Sequence, residues 1–264
     1  MEITPIHAFD DNYIWALRSN DKVVIVDPGT AAPVLEYLDR TGGTLVAILV
    51  THHHSDHIGG IAELLKLAAL HTVVPVYGPA AERAKITTLT RTLNEGDTVE
   101  IAEIGAQFRV LDVGGHTLGH IAYFGQLDGQ NTLLCGDTLF AGGCGRLFEG
   151  TPQQMHASLS KLAALPGDTR VYCAHEYTQS NLKFALAVEP GNAELKQRVA
   201  EVAALRSANK PTLPSTIAVE LATNPFLRTA SPEVADAART FSGNAGLQEP
   251  DEIFAAIRAW KNVF

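Results

Sequence analysis

Short apolar segments with the character of β-strands recur through the first two thirds of this 264-residue chain and stop near residue 174. Turns separate them, and helical periodicity follows several of them. Beyond Ala174 the chain becomes rich in Ala, Glu and Leu, which predicts helices instead. We therefore predict an α/β domain over residues 1–174 and a helical C-terminal domain over residues 175–264. The predicted strands are 12–17, 23–26, 45–50, 73–77, 98–104, 107–113, 121–124, 132–135 and 171–174. The predicted C-terminal helices are 178–188, 193–208, 215–223, 232–240 and 250–262.

Two helix starts stand out within the α/β domain. Thr30 is the expected N-cap of a helix over 31–40. Thr151, with Pro152 at the first helical position and Gln154 three residues beyond the threonine, has the pattern of a capping box. The segment 58–70 also has helical periodicity.

Composition excludes several classes of protein. The chain is 46% apolar and 19% charged, which is ordinary for a globular protein with a sizeable core. Its formal net charge of -9 argues against nucleic acid as the main partner, because that binding depends on Lys and Arg neutralising phosphates. No apolar run approaches the roughly 18 residues of a membrane span, and the first residues lack the pattern of a signal peptide, so we expect a cytoplasmic protein with no membrane partner. Three widely spaced cysteines, Cys135, Cys144 and Cys173, suggest reduced buried thiols rather than disulfides.

The stretch THHHSDH follows the apolar strand 45–50. His52 and His54 are two residues apart in an extended segment, so their rings project to the same side and can bind one metal ion, whereas His53 projects to the other side. Asp56 and His57 lie where the chain turns into a helix and point elsewhere, towards a second ion. Imidazole with carboxylate suits zinc, iron or manganese.

The remaining ligands of a two-metal site are expected further along the chain. His116, Asp137 and His175 each follow an apolar strand, and loops at one end of a sheet are where α/β folds bind ligands. His120 competes with His116 for a ligand role, but the two glycines before His116 favour His116, which leaves His120 a supporting or structural role. Isolated histidines are expected to be ordinary core or surface residues: His7, His71 and His156.

With those residues assembled, the sequence resembles the metallo-β-lactamase superfamily, because THHHSDH matches the superfamily motif THxHxDH and the later ligand positions are filled. It is most similar to the hydroxyacylglutathione hydrolases, known as glyoxalase II, and the similarity runs nearly from end to end. The segments that carry it are FxDNYIW, GHTLGHIAYF, CGDTLFAGGCGR, CAHEYTQSNLKFALAVEPGN, NPFLR and IRAWKNVF.

The resemblance implies an αββα sandwich followed by an all-α domain that closes over the substrate. It also implies two divalent ions, with zinc expected first and iron or manganese as alternatives. Carried over by position, metal 1 takes His52, His54 and His116, metal 2 takes Asp56, His57 and His175, and Asp137 bridges them.

The same resemblance implies a glutathione site formed by Arg146, Phe148, Tyr177, Asn181, Arg258 and Lys261. The family often has Lys and Tyr where this chain has Arg146 and Phe148, so the charge is kept and a hydroxyl group is lost. Without the resemblance, Arg146 would be read as pairing with a surface carboxylate and Tyr177 as a packing residue. Arg258 and Lys261, at i and i+3, would then be read as a solvated helix face.

The implied reaction is hydrolysis of an S-(2-hydroxyacyl)glutathione, such as S-D-lactoylglutathione, to glutathione and D-lactate, the second step of methylglyoxal detoxification. A hydroxide bridging the metals is expected to attack the thioester, with Asp56 and Asp137 as catalytic residues in a monomeric enzyme.

Other functions on this scaffold fit the sequence less well. The lack of an export pattern disfavours a β-lactamase, and the acidic balance disfavours a nuclease. A sulfur dioxygenase with one iron held by two His and one Asp would leave several of the predicted ligands idle. A protein that binds metal or thiol conjugates without turnover stays open.

Overall fold

The computed structural model describes residues 1–68 and 73–264. Contacts divide the chain into two compact units, the first formed by residues 1–112 and 117–136 and the second by residues 113–116 and 137–264. His71 and the last two residues of the helix predicted over 58–70 lie outside the described residues.

The first unit contains a six-stranded mixed sheet in which neighbours in sequence are neighbours in space. Its strands are β1 (Glu2–Ala8), β2 (Asn12–Ser19), β3 (Lys22–Val26), β4 (Thr44–Leu49), β5 (Val76–Pro79) and β6 (Arg91–Leu93). The pairs β1/β2 and β2/β3 are antiparallel, and the sheet is parallel from β3 to β6. The inner strands β3 and β4 read as nearly continuous apolar runs because such strands are buried on both faces.

The described residues of the first unit include three α-helices: α1 (Ala32–Thr41), α2 (Ser55–Ile58) and α3 (Ile61–Ala68). Helices α1 and α3 bury Val34 and Leu64 in the same apolar core as the sheet. The prediction that Thr30 caps the first helix is wrong. Ala31 occupies the N-cap without a side-chain hydrogen bond, and a proline in the first turn defines the start instead.

Four further strands of this unit pair antiparallel within a second sheet: β7 (Thr98–Ile101), β8 (Ala106–Asp112), β9 (Ile121–Leu127) and β10 (Gln130–Gly136). The Tyr123 hydroxyl of β9 donates to the Val50 carbonyl oxygen at 2.8 Å, just beyond β4. The Ile121 N–H donates to the Thr51 carbonyl oxygen at 3.0 Å. The second sheet therefore holds the end of β4, where the histidine-rich loop begins.

The second unit is mainly helical. Its elements are β11 (Leu139–Phe140), β12 (Gly143–Cys144), α4 (Pro152–Ala163), β13 (Arg170–Cys173), α5 (Thr178–Val188), α6 (Ala193–Ser207), β14 (Ser215–Thr216), α7 (Ile217–Thr223), α8 (Pro232–Ser242) and α9 (Pro250–Val263). The capping box predicted at Thr151 is confirmed, with both of its hydrogen bonds to Gln154 present. The helix predicted from residue 215 begins at Ile217, because β14 first pairs with β13. No helix in the described parts of the chain is long and apolar enough to cross a membrane.

Candidate metal centre and substrate pocket

The histidine-rich loop follows β4 at the carboxyl end of the parallel part of the first sheet, where α/β folds place ligands. The His52 Nδ1 atom lies 3.1 Å from the Thr51 hydroxyl oxygen, and its Nε2 atom lies 3.1 Å from His54 Nδ1. Two nitrogens bound to one tetrahedral zinc ion at its usual distance are about 3.3 Å apart. His52 and His54 therefore present a pair of nitrogens with the spacing of two ligands.

His53 faces away from this pair, as the alternation along an extended segment predicts. Its Nδ1 atom lies 2.9 Å from Glu82 Oε2, and its Nε2 atom lies 3.3 Å from Lys85 Nζ. The other oxygen of the buried Glu82 accepts from the Thr117 hydroxyl at 2.5 Å. His53 thus anchors the loop to its surroundings.

Asp56 and His57 begin α2. The His57 Nε2 atom lies 3.6 Å from Asp56 Oδ2, and its Nδ1 atom lies 3.1 Å from Asp27 Oδ2. Asp56 Oδ2 also accepts from the side-chain amide of Asn12 at 3.0 Å. A carboxylate on one ring nitrogen fixes the tautomer and directs the other nitrogen towards a metal. His57 is therefore oriented with Nδ1 towards Asp27 and Nε2 towards Asp56.

The supporting roles of Asp27 and Asn12 were missed by sequence reasoning. Asp27 directly follows β3, is buried, and has a left-handed backbone with φ +52°. It also accepts from the Thr51 N–H at 2.8 Å and from the Thr51 hydroxyl at 2.7 Å. An Asp directly after an apolar strand was the available signal, and Asn12 lies within the FxDNYIW segment.

His120 is buried against a predicted ligand. Its ring stacks on that of His52, with the centroids 4.5 Å apart and the planes 19° from parallel. This contact places His120 behind the ligand, in a supporting position.

The second unit brings together His116, Asp137 and His175. The Nε2 atoms of His116 and His175 lie 3.4 and 3.3 Å from the same oxygen, Oδ2 of Asp137. The carbonyl oxygen of Arg146 lies 2.8 Å from His116 Nδ1 and accepts its proton, which leaves Nε2 as the lone-pair atom. A carboxylate oxygen facing two imidazoles is arranged as a bridging ligand would be.

The donor set fits divalent transition metals. Seven His and Asp residues are among the described side chains that could hold a metal ion: His52, His54, Asp56, His57, His116, Asp137 and His175. Neutral imidazole and carboxylate are ligands that zinc, iron and manganese all accept. The second ring nitrogens of His52, His57 and His116 lie 3.1, 3.1 and 2.8 Å from oxygen atoms of Thr51, Asp27 and Arg146, as expected of metal-ligating histidines.

A cavity of about 290 Å³ lies in the second unit. Five of the six residues predicted to contact glutathione line it: Arg146, Tyr177, Asn181, Arg258 and Lys261. Phe148 is not among the lining residues. Its ring is 60% exposed and lies edge-on to His116, with the centroids 5.2 Å apart, while the Arg146 guanidinium lies 5.6 Å from the same ring.

The cationic side of this cavity is partly buried. Burial, together with the neighbouring Arg258, lowers the pKa of Lys261. Arg258 is only 7% exposed, and its Nη1 and Nη2 atoms donate to the Cys144 carbonyl oxygen at 3.0 Å and to Asn262 at 3.2 Å. Its Nε atom has no acceptor among the described residues. The cavity therefore favours an anionic ligand within an acidic protein.

Tyr177 connects this cavity to the predicted metal ligands. Its ring stacks on that of His175, with the centroids 4.7 Å apart and the planes 8° from parallel, and it meets Phe140 edge-on at 5.2 Å. A molecule held against Tyr177 therefore lies beside His175.

Comparison with known proteins identifies the family. A model of the metallo-β-lactamase superfamily matches residues 8–175, and a model of the hydroxyacylglutathione hydrolase C-terminus matches residues 176–264. A relative from Cupriavidus taiwanensis named hydroxyacylglutathione hydrolase is 54% identical over 268 residues, which cover 100% of this chain and 99% of the relative. A relative of the same name from Ectopseudomonas mendocina is also 54% identical, with 100% of both chains covered. The chain belongs to the hydroxyacylglutathione hydrolase family.

Solved structures support the fold of this hydroxyacylglutathione hydrolase family member. The B3 metallo-β-lactamase BLEG-1 superposes with a TM-score of 0.63 at 25% identity, covering 86% of this chain and 98% of that one. A protein crystallised in a di-iron-bound form has a TM-score of 0.58 at 27% identity, covering 85% and 100%. The predictions of a metallo-β-lactamase fold with a helical C-terminal domain, and of a hydrolase of this family, are confirmed.

Proposed function

We propose that this protein hydrolyses the thioester of S-(2-hydroxyacyl)glutathiones, converting S-D-lactoylglutathione to glutathione and D-lactate in the second step of methylglyoxal detoxification. The observation that carries the proposal is the cationic cavity whose Tyr177 ring stacks on the predicted metal ligand His175. Such a cavity can hold the anionic tripeptide with its thioester next to the metal ligands. The names of the relatives support the same reaction.

The proposed ligand assignment follows the family pattern, with Asp137 shared between two divalent ions. Its support is the pair of nitrogens on His52 and His54, and the pair of imidazoles facing Asp137. Zinc is the proposed metal, with iron and manganese as alternatives that the same donors accept. When bound, the ions lower the pKa of water to about 7 and polarise the thioester carbonyl. One ion would be held by His52, His54 and His116, and the other by Asp56, His57 and His175.

Asp56 is proposed to orient the attacking water by accepting its hydrogen bond, and Asn12 holds that carboxylate in place at 3.0 Å. A thiolate leaving group has an intrinsic pKa near 8.5, so it departs with little help from a general acid. Burial raises the pKa of Cys173 to about 12 and raises that of Cys144 as well. Both thiols are therefore protonated at neutral pH and are poor nucleophiles, which agrees with direct attack by water.

Glutathione is proposed to bind with its carboxylates near Arg146, Arg258 and Lys261 and its peptide groups near Tyr177 and Asn181. Phe148, exposed beside His116, offers an apolar edge to the same ligand. We further propose a functional division into residues 1–174 and 175–264, in line with the two family models. A cytoplasmic monomer acting on a small molecule, with neither nucleic acid nor membrane as a partner, completes the proposal.

The test is hydrolysis of S-D-lactoylglutathione, followed by loss of thioester absorbance, with and without a chelator and with elemental analysis of the same preparation. We expect turnover and about two metal ions per chain. A chelator should remove the ions and abolish turnover. His175→Ala is expected to lose metal and most of kcat, whereas His7→Gln, on the exposed side of β1, is the matched control. Full turnover by His175→Ala would contradict the dimetal assignment. Metal-loaded protein that binds the thioester without turnover would indicate a binding protein instead.

A further inference from the structure

The two-residue strands β11 and β12 and the turn between them form a hairpin over Leu139–Cys144. This hairpin begins two residues after Asp137 and ends two residues before Arg146, so it connects a predicted metal ligand to a predicted substrate contact. Phe140 and Cys144 themselves line the cationic cavity. Strands of two residues are too short to hold such a segment by their own ladder.

Side chains from α7 and its C-cap satisfy the main chain of the hairpin. The Asn224 amide nitrogen donates to the carbonyl oxygens of Phe140 and Gly143 at 3.2 and 2.9 Å. The Gly142 N–H donates to Glu220 Oε2 at 2.8 Å. Gly142 has φ +70°, a left-handed conformation that favours glycine. The turn is therefore fixed by a carboxylate and an amide that both belong to the α7 region.

Two further helices donate side-chain hydrogen bonds to the main chain of the hairpin. The Asn181 amide of α5 donates to the Ala141 carbonyl oxygen at 3.2 Å, and Arg258 of α9 donates to the Cys144 carbonyl oxygen at 3.0 Å. Each residue from Phe140 to Cys144 thus has a main-chain polar group bonded to a side chain of α5, of α9, or of α7 and its C-cap. Buried peptide groups without such partners are destabilising, so these side chains define where the hairpin can lie.

Glu220 is itself held rigidly. It is fully buried, its Oε1 atom accepts from Arg198 at 2.5 Å and from the Ser215 hydroxyl, and its Oε2 atom accepts from Asn224 at 3.0 Å as well as from the hairpin. Thr223 bonds to Arg198 at 2.6 Å, so it belongs to the same network without touching the hairpin. A buried carboxylate with this many donors is held in one orientation. It therefore fixes the position of the Gly142 N–H that donates to it.

The hairpin in turn positions one side of the cavity, which Phe140 and Cys144 line. Just beyond it, the Gly145 N–H donates to the Thr138 carbonyl oxygen at 3.1 Å, which closes the loop between Asp137 and Arg146. A shift of Gly142 and Gly143 would therefore move Cys144 and Arg146 in the cavity.

We propose that Glu220 and Asn224 are positioning residues for glutathione binding, acting through the Leu139–Cys144 hairpin. This inference rests on the proposed function, because it takes glutathione as the occupant of the cavity. It gives a role to the NPFLR segment, which begins at Asn224. The Asn224 amide donates hydrogen bonds to the hairpin, and its Oδ1 atom caps the following turn by accepting from the Phe226 N–H at 3.1 Å.

The test compares Asn224→Asp with the wild type. Aspartate keeps the oxygen that caps Phe226, loses the amide that donates to Phe140, Gly143 and Glu220, and places a carboxyl group beside Glu220. We expect KM for S-D-lactoylglutathione to rise about tenfold with kcat within about twofold and metal content unchanged. The Kd of S-hexylglutathione, a thioether that cannot be hydrolysed, should rise in parallel in calorimetry.

Thr223→Val is the matched control, since it perturbs the same buried network at Arg198 and leaves the hairpin contacts intact. It is expected to lower Tm and leave KM unchanged. Glu220→Gln is the second variant, and it should raise KM in the same way. An unchanged KM in whichever variant folds, an equal rise in Thr223→Val, or failure of both Asn224→Asp and Glu220→Gln to fold would overturn the proposal. If the wild type binds S-hexylglutathione without hydrolysing the thioester, the proposed function fails while the Kd comparison still tests the positioning role.

Discussion

Among individual residues, the predicted metal ligands can be recognised from short-range sequence patterns. The residues that orient those ligands cannot. The alternation of His52 and His54 depends only on the geometry of an extended segment, which the sequence shows directly. Asp27 supports His57 across 30 positions of sequence, because β3 and β4 are parallel neighbours with Val26 opposite Leu49. That register depends on sheet packing, so no local pattern predicts the pairing.

Replacing Asp27 by Asn tests this support. Asparagine keeps the size of the side chain but cannot match the acceptor strength of the carboxylate for the His57 Nδ1 proton. Loss of such a partner lowers metal affinity or activity about 10- to 100-fold. We expect that loss in a competition titration of zinc against a chromophoric chelator. Asp21→Asn, on the surface beside Lys22, is the control and should titrate like the wild type. Equal affinities for Asp27→Asn and wild type would remove Asp27 from the site.

Among secondary-structure elements, those with long periodic patterns were predictable and very short ones were not. The helix predicted over 178–188 is α5 with the same limits, because its apolar face repeats over three turns. Strands of two or three residues, such as β6, β11 and β14, carry too few side chains for a periodic signal. Strand β1 was missed because Pro5 interrupts its pattern, which an edge strand tolerates.

The junction of α5, α6 and α8 yields a prediction about pH. Glu189, at the end of α5, accepts from Arg228 at 2.7 and 2.8 Å, from Asn192 at 3.0 Å and from Ser231 at 3.0 Å. Burial acts to raise the pKa of Glu189, but the hydrogen bonds from Arg228, Asn192 and Ser231 outweigh it and lower the pKa below its usual value. A lowered folded-state pKa adds stability above the unfolded-state pKa and loses it as pH falls through the folded value.

Glu189→Gln should therefore lower the free energy of unfolding by about 2 kcal/mol at pH 7, and the difference should shrink as pH falls below about 4. Urea unfolding at a series of pH values measures it. Glu201→Gln, an exposed residue of α6 whose carboxylate accepts from Gln197, should show little effect at any pH. A difference between Glu189→Gln and wild type that stays constant down to pH 3 would contradict the lowered pKa.

At the scale of the whole molecule, the superfamily fold was predictable from the resemblance, whereas the division of the chain into compact units was not. His116, Asp137 and His175 all belong to the second unit, although they lie within the 8–175 match to the superfamily model. The short segment 113–116 joins that unit while 117–136 returns to the first. Which unit a segment joins depends on the side chains that pack together after folding. No change in composition marks the boundaries of these segments in the sequence.

The metal ions should contribute to the stability of the whole chain. The predicted ligands are distributed from His52 to His175, so a preformed set of donors exists in the folded state and not in the unfolded one. A ligand present at about 1,000 times its Kd adds about 4 kcal/mol to the free energy of unfolding, which for a chain of this size raises Tm by about 10 °C. We expect calorimetry to show a fall of that order when a chelator removes the metals, and recovery when zinc is added back. His175→Ala, which lacks one predicted ligand, should respond less to both treatments. An identical Tm for metal-loaded and metal-free protein would show that the ions do not bind the folded state preferentially, and the two-metal assignment would have to be abandoned.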